Sequence, residues 1–225
     1  AARDAAQRRL LANISHDLRT PIASIAGYTD ALQRGLGDEP ERYLAVIAAK
    51  AEALTQLTDD LFYAARIDAG DLDLKRGPVD LAETVRRSML GFEPQLTGAG
   101  AVVDVRVPEG PCLVDADPSA LARILSNLVA NSVRHGGGGT TLVVQMAERE
   151  GDRIVTISND GPPLPPDTEH LFARGVTGLS GGTGLGLAIA RELAEQMGGS
   201  VTAGNRSDGL VTFTLVMPRR EFSES

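Results

Sequence analysis

His16 stands in the run Ile14-Ser15-His16-Asp17-Leu18-Arg19-Thr20-Pro21, where an imidazole is flanked by an acid, an arginine and hydroxyls. Apolar residues recur at Leu11, Ile14, Leu18, Pro21, Ile25, Tyr28 and Leu32, the three–four spacing of a helix-packing seam. On such a helix His16 falls between Ile14 and Leu18 and turns away from the seam toward water. Thr20 follows one turn on, about 6 Å along the same face. Histidine exchanges its charge near neutrality, so an exposed imidazole keeps a lone pair that can attack an electrophile. The plain alternative is a surface histidine on a bundle helix, and the choice depends on what other chemistry the chain carries.

Three later segments supply that chemistry. In Asn127-Leu128-Val129-Ala130-Asn131-Ser132-Val133-Arg134-His135, the two asparagines are four apart and project from one helix face. Two neutral amide oxygens suit Mg²⁺, which keeps several waters and shares its sphere with phosphate. Arg134 adds a fixed cation for phosphate oxygens, and His135 a flat ring. A pair of helix-capping or core-satisfying asparagines is the competing reading. In Ile157-Ser158-Asn159-Asp160-Gly161-Pro162-Pro163-Leu164-Pro165, a strand ends in polar side chains beside a glycine turn, where hydrogen bonds can read a planar base. In Gly181-Gly182-Thr183-Gly184-Leu185-Gly186-Leu187, glycines run into a helix start, whose open N–H groups and dipole favour phosphate. This run is not a dinucleotide fingerprint, because it lies late in the chain and is not the first turn of a βαβ unit. It is no P-loop either, since no Gly-Lys-Ser/Thr follows.

The elements that position these groups follow from periodicity. Residues 3–34 are expected as one helix bent near Pro21, where the ring removes a hydrogen bond. After a turn at Gly35–Pro40, a second helix runs to Asp68 with Leu44, Ile47, Ala51, Leu54, Thr58, Leu61 and Ala65 on its stripe. Two helices of this length make an antiparallel hairpin that cannot enclose its own core, so two copies are expected to pair into a four-helix bundle. From residue 70 the pattern changes to a mixture. Strands are expected at Leu72–Lys75, Val102–Val107, Leu113–Val114, Thr140–Glu148, Arg153–Asn159, Ser200–Ala203 and Leu210–Val216. Helices are expected at Leu81–Leu96, Pro118–His135 and Leu185–Met197, the second opened by Asp117 as N-cap before Pro118. Glu150-Gly151-Asp152 reads as a hairpin turn and Gly136–Gly139 as a local turn. This segregated order indicates an α+β two-layer sandwich with helices on one face of a mostly antiparallel sheet. The division is residues 1–69 and 70–225.

At 225 residues and a formal charge of −8, the chain has material for two modest domains and no basic face for nucleic acid. Its single cysteine, Cys112, excludes a disulfide framework, fits a reducing compartment and reads as a strand residue without chemistry. No 18-residue apolar run or signal peptide is present. The chain opens inside helical sequence, as a fragment cut from a longer protein would. Tyr63 and Phe62 are expected to pack at the domain junction, Asp59 and Asp60 to form a solvated face, and His170 to be solvated.

In this order the segments resemble the catalytic core of the sensor histidine kinases of two-component signalling, over residues 3–218. Ser15–Pro21 is similar to the family's H-box, Asn127–His135 to its N-box, Asn159–Leu164 to its G1 box and Gly182–Leu187 to its G2 box. The resemblance implies a dimerisation and phosphotransfer hairpin followed by a Bergerat-type ATP-binding domain. It implies that His16 takes the γ-phosphoryl group of ATP, that Asp17 accepts the Nδ1 proton so that Nε2 attacks, and that Thr20 orients water when the protein dephosphorylates its partner. Asn131, with Asn127, would hold Mg²⁺, Arg134 would contact phosphate, and His135 would lie near the adenine. Asn159, Gly161 and Leu164 would shape the base site, and Gly182, Thr183, Gly184, Leu185, Gly186 and Leu187 the phosphate site. The implied partners are a second copy and the receiver domain of a response regulator, with any membrane attachment through an N-terminal sensory region.

Two departures from the family pattern bear on activity. Asn159 and Pro163 stand where the G1 box carries Asp and Gly. The Asn159 carbonyl can still accept from the adenine amino group, and its NH₂ can donate to a ring nitrogen. Asp160 is one residue out of register and should turn the other way. The lid keeps Phe172 but has Gly175 at the next aromatic position. Arg174 is assigned to phosphate, and glycines at 175, 178, 181 and 182 imply a mobile lid. The Ala64–Asp73 junction is the expected hinge for phosphoryl transfer. Competing readings are an ATPase of the same superfamily, which would need a catalytic glutamate beside Asn127, and a phosphatase-biased or non-kinase signalling scaffold.

Overall fold

The computed structural model describes residues 2–36, 39–136, 139–176 and 184–219. The chain divides into two compact units, Ala1–Leu72 with Arg174–Leu185, and Asp73–Ala173 with Gly186–Ser225.

The first unit is built on a hairpin of α1 (Ala2–Gln33) and α2 (Pro40–Ala69). The proline at the start of α2 suits a position whose N–H has no helical partner. Pro21 lies inside α1 without ending it. Near the turn the rings of Tyr28 and Tyr43 tilt against each other with centroids 5.1 Å apart, joining the two helices. Leu57, Asp60 and Ala64 are the buried residues of α2, whereas Ile22 and Leu44 are 53% and 57% exposed. Two expectations are corrected here. Asp60 is buried and accepts from Gln56 Nε2 at 3.3 Å, because its i−4 neighbour satisfies it, while Phe62 is 71% exposed and not packed away.

The second unit is an α/β sandwich. Its main sheet has the order β2-β4-β5-β7-β6, built from β2 (Val102–Arg106), β4 (Thr141–Arg149), β5 (Asp152–Asn159), β6 (Ser200–Asn205) and β7 (Val211–Pro218). Only the β2–β4 pair is parallel. Glu150 and Gly151 both take positive φ between the paired Arg149 and Asp152, as a tight hairpin turn requires. The helices are α3 (Leu81–Gly98), α4 (Pro118–Gly136) and α5 (Gly186–Gln196). The core between helices and sheet contains Leu121, Ile124, Leu125, Leu128, Ile157, Ile189, Leu193 and Leu215, all nearly inaccessible.

Asp117 caps α4 as expected, its Oδ1 accepting from the N–H groups of Ser119 and Ala120 at 2.9 Å. Asp80 does the same for α3 and also accepts from Cys112 N at 3.0 Å. The expected strand at Leu72–Lys75 is absent. The strand is β1 (Gly77–Asp80), which pairs antiparallel with β3 (Leu113–Ala116) as a separate two-stranded sheet. In its place Lys75 N donates to Asp117 Oδ2 at 2.8 Å, and Arg76 donates to the carbonyls of Asp115 and Met197. A side chain thus satisfies the Lys75 N–H, and the Arg76 guanidinium ties this segment to Asp115 and Met197, where a ladder is expected. Glu169–Phe172 forms a 3-10 turn inside the segment read as a loop.

Candidate functional site

On α1 the His16 side chain is 78% exposed, and its Nδ1 lies 3.3 Å from Asp17 Oδ1. A carboxylate can only accept, so this contact places the ring proton on Nδ1 and leaves the Nε2 lone pair open to solvent. The second oxygen of Asp17 is buried without a hydrogen-bond partner. Thr20 Oγ1 donates to the His16 carbonyl at 3.2 Å, which leaves the hydroxyl oxygen able to accept. His16, Arg19, Thr20, Ala23 and Ser24 line one depression on this helix. The geometry offers an accessible imidazole whose Nδ1 faces an acceptor and whose far side is open to approach.

In the second unit, strand alternation sets the base site. Asn159 lies at the end of β5 on the same face as the core residues Val155 and Ile157. It is 1% exposed, and among the described residues its Oδ1 has no hydrogen-bond partner. A buried carbonyl left unpaired costs about 1–3 kcal/mol, so it marks a place where a donor is missing. Asp160 turns the other way, as expected from its register. Thr140 Oγ1 and Thr141 N donate to its two oxygens, the second at 3.0 Å. The Thr140 hydroxyl, chiefly, holds its carboxyl below the usual range. Gly161 is required by close approach: a Cβ there would stand 2.6 Å from Asn159 Nδ2 and 2.6 Å from the His135 carbonyl oxygen. The Asn159–Gly161 segment thus meets the His135 carbonyl from a distant part of the chain.

Burial, and then the neighbouring Arg134 charge, push the His135 imidazole below the ordinary histidine value. This environment favours the neutral form of the ring. Unfolded chain takes up the proton first as pH falls through about 6.5, so the folded unit loses stability there and stops losing it below its own midpoint. A proton NMR titration should give His135 a midpoint below 6.5, and one at or above it would contradict this environment.

Asn127 is buried, and its NH₂ donates to the Gly186 carbonyl at 2.9 Å, tying α4 to the first residue of α5. That bond supports the structural alternative for Asn127, yet it leaves the amide oxygen as the atom able to meet a cation. Asn131 is half-buried one turn on, and Arg134 is exposed. Gly186 and Leu187 open α5, whose first N–H groups have no partner within the helix. Leu164 is held by a side chain that local sequence did not reveal: Asn205 accepts from its N–H and donates to its carbonyl, each at 2.8 Å. Arg191 is a second such residue. It pairs with Glu169 through two bonds of 2.7 and 3.1 Å and lies 4.0 Å over the Phe172 ring.

Arg174, Gly184 and Leu185 fall in the first unit, and Asn127 and Asn159 in the second. Gly184 takes φ +63°, where a Cβ would also strike Val176 backbone at 2.5 Å, and its carbonyl accepts from Gly175 N. Gly182 and Thr183 lie outside the described residues.

The His Kinase A (phospho-acceptor) domain matches residues 6–70, and the histidine kinase-, DNA gyrase B- and HSP90-like ATPase domain matches residues 116–221. The chain belongs to the sensor histidine kinases. This kinase core is 32% identical to the probable sensor histidine kinase TcrY of Mycobacterium tuberculosis, over 94% of its own length and 46% of TcrY. It is 27% identical to the sensor histidine kinase YcbM of Bacillus subtilis, over 99% of its length and 75% of YcbM. Its fold is similar to that of histidine kinase ThkA, solved in complex with response regulator protein TrrA. There the TM-score is 0.69 and the identity 23%, over 97% of this chain and 64% of that one. The kinase thus spans about half the length of TcrY. Among its described residues no helix is long and apolar enough to cross a membrane.

Proposed function

We propose that this chain transfers the γ-phosphoryl group of ATP to His16 and then to an aspartate on the receiver domain of a response regulator. The observation that carries the reading is the exposed His16 imidazole with its Nδ1 3.3 Å from Asp17. His16 Nε2 attacks the γ-phosphorus in line, the bond to the β,γ-bridging oxygen breaks, and ADP leaves with that electron pair. Positive charge that develops on the ring is stabilised by Asp17, which accepts the Nδ1 hydrogen bond. The unpaired Asn159 carbonyl supports adenine binding, with Gly161 and the His135 carbonyl close to its amide and the His135 ring assigned to the base. The α5 N-terminus at Gly186 and Leu187, with Arg134 and the lid's Arg174, Gly182, Thr183, Gly184 and Leu185, would meet the triphosphate.

Among the described residues no cluster of three His, Cys, Asp or Glu could hold a metal. A magnesium ion would be held by the amide oxygens of Asn127 and Asn131 together with phosphate and water, and when bound it would neutralise phosphate charge. Thr20 would orient water for dephosphorylation of the partner. The exposed Ile22 and Leu44 support pairing of two hairpins into a four-helix bundle. Residues 1–69 would form the dimerisation and phosphotransfer domain and residues 70–225 the ATP-binding domain. In the cell the core would be the cytoplasmic part of a membrane-anchored bacterial sensor.

Incubation with γ-labelled ATP and Mg²⁺ tests the reading. Acid-labile, alkali-stable label on the chain is the expected result. ATP turnover without label would instead indicate a superfamily ATPase, and neither outcome from a folded dimer would indicate a scaffold.

A further inference from the structure

We infer that this site takes 6-oxopurine nucleoside triphosphates as well as ATP, because the side chain facing the base is an amide whose orientation is left open. The inference rests on the ATP-site reading above and concerns what Asn159 can distinguish. Asn159 is buried, its Oδ1 has no hydrogen-bond partner, and among the described residues no hydrogen bond fixes its NH₂. Gly161 leaves space at that NH₂ which any Cβ would take, coming within 2.6 Å. The neighbouring acid is committed elsewhere, since both Asp160 oxygens accept from Thr140 and Thr141. No carboxylate from this strand end therefore reaches the base edge.

A carboxylate presents two acceptors. It matches a 6-amino group, but one of its oxygens opposes the lone pairs of a 6-oxo group. An amide presents one acceptor and one donor. In one orientation Oδ1 accepts from the 6-amino group and the NH₂ donates to N1. Turned by half a rotation, the NH₂ donates to O6 and Oδ1 accepts from N1–H. Amide oxygen and nitrogen are nearly equal in size, so a side chain with neither atom pinned loses little by turning. Discrimination between bases is strong only where a site leaves a buried polar group unpaired against the wrong one. Asn159 can pair with both.

Inosine triphosphate isolates the point, because it carries the 6-oxo group without a 2-amino group. Calorimetric titration of the full chain with ATP and with inosine triphosphate, in the presence of Mg²⁺, should give dissociation constants within about tenfold of each other. In Asn159→Asp the ratio of the inosine to the adenosine constant should rise by about tenfold or more, as O6 then faces an anion. Wild-type chain that binds ATP and rejects inosine triphosphate by about a hundredfold or more overturns the inference while leaving the ATP site standing. A ratio unmoved by Asn159→Asp also overturns it. Binding of neither nucleotide overturns the ATP-site reading, and the inference with it.

Discussion

His16→Gln should yield a folded, ATP-binding protein that takes up no phosphate. Glutamine retains a polar, helix-compatible side chain at a position 78% exposed, so the change in stability should stay within about 0.5 kcal/mol. What it removes is the lone pair on Nε2: of the other side chains in that depression, Arg19 is a permanent cation, Ala23 is inert, and the Thr20 and Ser24 hydroxyls are weak nucleophiles at their free pKa. Labelling from γ-labelled ATP should fall by about a thousandfold or more, while nucleotide affinity is unchanged. Asp17→Asn separates orientation from nucleophilicity. The imidazole survives, but the neighbour becomes an amide that no longer balances ring charge, so labelling should slow by about a hundredfold or more and not vanish. If His16→Gln kept its label, the phospho-acceptor would lie elsewhere.

Gly161→Ala should damage the other half of the reaction. The added Cβ would press on two atoms at 2.6 Å, the Asn159 NH₂ and the His135 carbonyl oxygen. The carbonyl belongs to the last turn of α4 and cannot swing aside as a flexible side chain can. Relief must therefore come from turning Asn159 out of its buried position or from shifting the turn after β5. Overpacking of this kind costs roughly 1–3 kcal/mol, and most of it falls on the base site. ATP affinity should drop about 5- to 150-fold, read by calorimetry on protein whose circular dichroism confirms the fold. Unchanged affinity would show that the base does not bind between Asn159 and His135.

The features legible in the sequence are those whose causes are local. The seam of α1, the exposure of His16, the Asp117 cap and the opposite turns of Asn159 and Asp160 all follow from helical or strand period over a few residues. Contacts made across long stretches of chain were hidden. Asn205 grips Leu164 from 41 residues away, and neither residue's neighbours announce it. Arg191 reads as an ordinary helix cation until Phe172 and Glu169 meet it. Strand β1 contains Gly77 and Pro78, residues of low strand propensity, and it exists because Leu113–Ala116 pairs with it. Leu72–Lys75 alternated suggestively but had no partner strand. Asp60 reads as solvated in sequence for a related reason, since its burial is a property of packing and not of its own composition.

Mapping the phosphate on wild-type chain tests the central claim most directly. The protein is incubated with ATP and Mg²⁺, digested under alkaline conditions that preserve phosphoramidates, and its peptides are sequenced by mass spectrometry, with phosphorus NMR identifying the bonded atom. One phosphoryl group per chain is expected, on Nε2 of His16. Phosphate on Ser15, Asp17 or Thr20, or free phosphate with no modified peptide, would contradict it.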